Sequence, residues 1–225
     1  MTADFRDRRH AGRMLALRLA AYADRHDVMV LALPGGGVPV AFEVASALHA
    51  PLEVFIVRKL AVPGHAEYAM GALASGGVRV LNPNVVNMLD VASADIEAVT
   101  RAEMSELRRR EQLYRDGQPL PAVRDLALVL VDDGVATGST LTAAVKALRT
   151  QQPARIVVAM PTTTAQTCEA LRTEADDVVC ATAPQPFRAV CYWYEDYSQT
   201  SDGEVVELLA RARGGHPHNT HEKRP

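Results

Sequence analysis

An α/β protein with an open, mainly parallel sheet flanked by helices is the fold class this sequence predicts, on three observations. Short continuous apolar runs at 28–33, 54–57, 126–131, 156–160 and 178–181 read as strands buried on both faces. Stretches with helical spacing lie between them. Two of the runs end in glycine-rich turns that open helices, which is where ligands bind in open parallel sheets. The 225 residues, 48% of them hydrophobic, are ample for a core, and a formal charge of -3 excludes an overall basic field for nucleic acid. Small molecules are the expected partners.

Taken in order, residues 8–25 repeat apolar positions at Met14, Leu15, Leu17, Leu19 and Tyr22, the pattern of a helix covering one side of a core. Arg13 and Arg18 break the run too often for a signal peptide. A helix is expected over 38–48 and a strand over 54–57 ending in Arg58-Lys59. Residues 60–77, rich in Gly, Ala and other small residues, read as a mobile loop. Val78 to Leu81 is a short strand, and Ser93 is placed to cap an exposed helix over 94–115. Helices over 139–148 and 165–174 separate the last three strands. The longest uncharged stretch, 28–42, contains Pro34, three glycines and Pro39, so no membrane span is expected. Cys168, Cys180 and Cys191 form no C-x-x-C and no evident disulfide framework, so a reduced, cytoplasmic setting is expected. One domain is expected over 1–213. A flexible tail follows at 214–225, its His216, His218 and His221 solvated.

The chemistry concentrates in Val129-Leu130-Val131-Asp132-Asp133-Gly134-Val135-Ala136-Thr137-Gly138-Ser139-Thr140. A buried strand delivers two carboxylates to its carboxyl end. The turn after it can offer backbone N–H groups and hydroxyls to a phosphate at a helix N-terminus. It is not a Walker A loop, since Ser139 stands where a lysine would follow the second glycine, and it is not G-x-G-x-x-G. A second turn, Pro34-Gly35-Gly36-Gly37, lets backbone approach an anion closely. Arg58 and Lys59 put a fork and a compact charge at a strand end.

The segment from Asp132 to Thr140 closely resembles the PRPP-binding signature of type I phosphoribosyltransferases. By that resemblance Asp132 and Asp133 hold the ribose hydroxyls, directly or through Mg²⁺, and Gly134, Val135, Ala136, Thr137, Gly138, Ser139 and Thr140 hold the 5′-phosphate. Pro34, Gly35, Gly36 and Gly37 look like the pyrophosphate loop of the family, in which a cis peptide is frequent. Here the loop lacks the basic or polar residue that many relatives carry. Arg58-Lys59, Pro63-Gly64 and Glu67-Tyr68-Ala69-Met70-Gly71 resemble the closing loop of adenine-type members, which implies that Arg58 and Lys59 contact pyrophosphate. Ala136 stands where hypoxanthine and guanine members have an acid, so Glu67, or else His65, is the expected proton acceptor.

Acceptor recognition in the family belongs to a small hood, expected here at 78–118 and 184–200, with Phe187 stacking on a base and Val190 beside it. Of Tyr192, Trp193 and Tyr194, at least one is expected in the core. The resemblance implies Mg²⁺-dependent transfer of 5-phosphoribose from PRPP to a nitrogen base, with a purine-like acceptor, in a homodimer. A PRPP- or nucleotide-sensing regulator on the same fold is the alternative. A metal-dependent phosphate-ester hydrolase ranks last, because no further ligands stand at useful spacing.

Overall fold

A computed structural model describes residues 3–215. Five strands, β1 (Val28–Ala32), β2 (Leu52–Val54), β6 (Ala127–Val131), β7 (Arg155–Thr162) and β8 (Asp177–Thr182), form a parallel sheet in the order β2-β1-β6-β7-β8. β1 and β6 are buried at every position, as continuous apolar strands between two helical layers must be. One layer holds α1 (Arg8–Arg18), α2 (Gly37–Leu48) and α7 (Asp202–Gly215), and the other holds α5 (Ser139–Arg149) and α6 (Ala165–Arg172). β1 and β6 pair in register from Val28 with Ala127 to Ala32 with Val131. Both strands therefore end at one level, and the turns that follow them meet.

The apolar run at 54–57 is divided between two sheets rather than forming one strand. β2 ends at Val54, and Val57 opens β3 (Val57–Val62), which joins β4 (His65–Ala74) and β5 (Val78–Leu81) in a three-stranded antiparallel sheet. The expected mobile loop at 60–77 is thus a hairpin closed at Gly64, where φ is +77°. Its small residues have a packing reason. A Cβ at Gly71 would collide with the Val80 carbonyl of β5 and reach within 3.0 Å of Leu81 Cα.

α4 (Ser93–Arg115) packs on this hairpin and on α7, with Ile96, Leu107, Tyr114 and Arg115 buried, so it is not a wholly exposed helix. Ser93 is its first residue and Ala92 its cap, without a side-chain bond. A short α3 (Pro83–Met88), capped by Asn82, and α7, which buries Val205, Leu208 and Leu209, were not expected from the sequence. α7 takes in Gly214 and Gly215. The rest of the expected tail, with its three histidines, lies outside the described residues. Cys168 of α6 and Cys180 of β8 are brought together as a pair, which the lack of an evident disulfide framework in the sequence did not anticipate, while Cys191 is free and exposed. No described helix is long and apolar enough to cross a membrane.

Arg115, 1% exposed, joins the two sheets where the chain passes between them. Its Nη2 donates to Val54 O at 2.8 Å and to Ser75 Oγ at 2.9 Å, and its Nη1 pairs with Glu111 at 3.2 Å. Buried Glu53 stands 3.5 Å from its Nε. Truncation removes these bonds and leaves buried Glu53 with the part-exposed Arg213, 3.5 Å away, so Arg115→Ala is expected to destabilise the fold by about 3 kcal/mol in urea unfolding. A loss under about 1 kcal/mol would mean that the joint contributes little.

Candidate active site

The site is assembled where the turns after β1 and β6 meet. Gly36 and Gly37 begin α2, and they lie directly against the acidic pair at the end of β6. A Cβ on Gly36 would collide with the Asp133 carboxylate and stand 2.8 Å from Arg8 Nε. One on Gly37 would stand 3.0 Å from Val131 O and 3.2 Å from Asp132 Cα. The glycines are required by this approach rather than by their dihedral angles, since Gly36 is αR at φ -59°. The Pro34–Gly35 peptide is cis, as the loop resemblance implies.

Asp133 is 7% exposed and carries three neighbours, none of which the sequence assigns to the acidic pair. Arg8 Nε donates to its Oδ2 at 2.7 Å, and the Tyr194 hydroxyl donates to its backbone carbonyl at 2.5 Å. The third neighbour, Tyr197, has its ring beneath the Arg8 guanidinium, 4.0 Å from Cζ to centroid. Burial, then the charge of Asp133, pushes the Tyr194 and Tyr197 hydroxyls well above the ordinary phenol range. These residues arrive through backbone pairing. Phe5 N donates to Trp193 O at 3.0 Å, Glu195 N to Phe5 O at 2.9 Å and Asp196 N to Arg6 O at 2.8 Å. Asp7 then caps α1 through His10 N, which leaves Arg8 as the first residue of that helix.

Asp132 is the less comfortable acid. Although part of its residue surface is exposed, burial of its carboxyl, then the charge of Asp133, raises its pKa well above the carboxylate range. Two adjacent carboxylates share one guanidinium. No described group of three His, Cys, Asp or Glu side chains could cage a metal. The pair supplies hard oxygen donors of the kind Mg²⁺ takes from one or two carboxylates, with substrate oxygens completing the shell.

The turn from Gly134 to Thr140 has the form of an anion cradle. Gly138 is left-handed at φ +73° and caps α5 without a side-chain bond, so the first amides of that helix are open. The Thr137 and Ser139 hydroxyls stand 3.4 Å apart and are exposed. From behind, Thr167 Oγ1 of α6 donates to Ala136 O at 2.8 Å, and Thr164 Oγ1 donates to Thr167 Oγ1 at 2.9 Å. At Gly134, φ +147°, a Cβ would lie 2.6 Å from Val190, which places Val190 at the end of β6.

Other expected site residues are engaged elsewhere. Arg58 pairs with Glu103 of α4 at 2.7 Å, and Lys59 Nζ donates to Ala66 O across the hairpin at 2.6 Å. Glu67 and His65 are exposed near the hairpin turn, 3.5 Å apart, with no described hydrogen bond to the acidic pair. One face of Phe187 stacks on Trp193, with ring centroids 6.2 Å apart. Trp193 and Tyr194 belong to the core and Tyr192 is exposed, so the aromatic triplet divides as expected.

A family model described as the phosphoribosyl transferase domain matches residues 66–196, more than half of the chain. The chain belongs to the phosphoribosyltransferase family, and its five-stranded parallel sheet flanked by helices is the type I fold. It is similar to two curated proteins from strains of Mycobacterium tuberculosis named as phosphoribosyl transferases, each 45% identical over 208 residues. Those matches cover 92% of this chain and 47% of each relative, so the chain spans about half their length. A crystal structure of the protein TT1426 from Thermus thermophilus matches with a TM-score of 0.82 and 40% identity, covering 92% of this chain and 98% of that one.

Raised in the fold, the Asp132 carboxyl retains a proton that the unfolded chain has already lost. Its contribution to stability therefore falls as pH climbs through the ordinary carboxylate range and stays lost above the folded value. Asp132→Asn is expected to be more stable than the parent at pH 7 in chemical denaturation. The gain should shrink as pH falls from the raised folded value toward about 4 and be gone below it, where aspartate takes its proton in either state. A variant less stable at pH 7 would show that the carboxylate is held by favourable contacts.

Proposed function

We propose that the chain is a type I phosphoribosyltransferase that moves 5-phosphoribose from PRPP to a nitrogen base, releasing pyrophosphate. The observation that carries this reading is the seat of Gly36 and Gly37 against Asp132 and Asp133. That seat brings the glycine loop, the acidic pair and the 134–140 turn to one edge of the sheet, which supports reading them as sites for pyrophosphate, ribose and 5′-phosphate.

In this reading the turn from Gly134 to Thr140 binds the 5′-phosphate through open amides and the hydroxyls of Thr137, Ser139 and Thr140. Asp132 and Asp133 accept hydrogen bonds from the ribose hydroxyls, and Pro34 to Gly37 receive the pyrophosphate along backbone. Mg²⁺, held through those hydroxyls or through water, would supply charge to the leaving group. The bond from the anomeric carbon to a pyrophosphate oxygen breaks with its electron pair on the leaving group. A nitrogen lone pair then forms the new bond, and the acceptor's proton passes to a base, for which Glu67 is the candidate. Lys59 reaches the departing charge once it exchanges Ala66 O for phosphate oxygen. Phe187 and Val190 lie on the acceptor side, and a purine-like ring suits the aromatic hood.

PRPP sensing without turnover is a second reading. It is favoured by one observation, that Lys59, Arg58 and Glu67 all pair within their own sheet or with α4 rather than with the acidic pair.

The assay is pyrophosphate release from PRPP and Mg²⁺ against a panel of purines, pyrimidines and other nitrogen acceptors. Acceptor-dependent release is expected, reduced by about 10²-fold or more in Lys59→Ala. The double change Asp132→Asn with Asp133→Asn is expected to abolish PRPP binding in a folded chain. Binding without release in the parent would select the sensor, and no binding would remove both readings.

A further inference from the structure

The pyrophosphate loop Pro34-Gly35-Gly36-Gly37 contains no charge, and the two cations expected to compensate are bonded in the hairpin, Arg58 to Glu103 and Lys59 to Ala66 O. Among the described residues, the cation standing against the loop itself is Arg8. Arg8 lies with its Nε 2.8 Å from where a Gly36 Cβ would stand, and it bonds Asp133 Oδ2 at 2.7 Å and Ser198 O at 2.6 Å. The ring of Tyr197 supports the guanidinium from one side. Arg8 comes from outside residues 66–196, the segment that matches the family.

We propose that Arg8 is a substrate-contacting residue of the pyrophosphate subsite, supplying from α1 the cation that the glycine loop lacks. The inference rests on the phosphoribosyltransferase reading. When the ribose hydroxyls take the Asp133 carboxylate, the guanidinium keeps Ser198 O at Nη1 and is released at Nε, beside a loop that receives a diphosphate. A planar fork suits phosphate oxygens, and Tyr197 keeps it facing the site after the exchange. The same side chain thus occupies the acidic pair before substrate arrives and the leaving group afterwards. Absence of a side chain at Gly36 lets the Asp133 carboxylate and the Arg8 guanidinium lie directly against the loop.

The test separates the two halves of the substrate by titration calorimetry on the full chain, with inorganic pyrophosphate and ribose 5-phosphate as probes in EDTA. PRPP with Mg²⁺ serves as the control. Arg8→Met keeps an unbranched apolar stem and removes the charged fork that lies over Tyr197. It is expected to weaken pyrophosphate by about tenfold or more, the loss of a charged hydrogen bond, and to change ribose 5-phosphate by less than about twofold. Asp133→Asn should do the reverse, weakening ribose 5-phosphate and leaving pyrophosphate as tight or tighter, because Arg8 is then released. If Arg8→Met does not fold, Arg8→Lys, which keeps the charge but not the fork, should fall between parent and the expected loss for pyrophosphate alone.

A structural clamp on Asp133 would instead weaken both probes together in either variant. That result, an unchanged pyrophosphate affinity in Arg8→Met, or a parent that binds PRPP but not pyrophosphate, overturns the assignment while the phosphoribosyltransferase reading stands. A parent that binds neither PRPP nor its two halves removes that reading and the role of Arg8 with it.

Discussion

Parallel pairing of β1 with β6, residue against residue from Val28 and Ala127 onward, brings two turns into van der Waals contact at the carboxyl edge of the sheet. That contact is the constraint on which the site depends. It tolerates no Cβ at Gly36, where the Asp133 carboxylate occupies the space, and leaves little room at Gly37 beside Asp132. Substitution there displaces buried backbone and a charged pair, not a flexible side-chain end. Neither α2 nor α5 has a side-chain cap, and at the start of α2 Val38 N donates to Gly35 O while Pro39 carries no N–H.

Charge is distributed around this contact at some cost to stability. Asp132 is desolvated beside Asp133, and Arg8 is the one guanidinium hydrogen-bonded to the pair among the described residues. Its position is specified from three directions: the Asp7 cap at the start of α1, the pairing of Phe5 with the segment at 193–195, and the ring of Tyr197. Behind the phosphate-type turn, Thr164 and Thr167 hold Ala136 O without touching the open side. Rigid support behind a polar opening is what a binding site for a sugar phosphate requires.

The second sheet has its own internal electrostatics. Its cations bond within the hairpin or to α4, and buried Arg115 joins it to β2 at Val54. Because β3, β4 and β5 pack on α5, which starts at the phosphate-type turn, the hairpin is mechanically continuous with the site even though its side chains bond elsewhere.

Local sequence pattern was enough to determine the parallel α/β class, the strands β1, β6, β7 and β8, and the acidic pair with its turn. Continuous apolar runs and a glycine-threonine turn are signals within a dozen residues, and burial on both faces holds for β1 and β6, whereas β8, at the sheet edge, is a strand buried only at Val178. Pattern did not reveal where an apolar run changes sheets, because 54–57 carries no period on either side of the break. It also read the small residues of β4 as a loop, although Gly71 is small because β5 passes close by. Arg8 is indistinguishable in sequence from Arg6, Arg9 and Arg13. Only the tertiary fold, by pairing a strand-like segment at Phe5 with one at Tyr194, brings residues 125 positions apart to 2.7 Å and decides which arginine meets Asp133. Elements are governed by neighbours in the chain, whereas an ion pair between distant segments depends on how those elements pack, which no local pattern records.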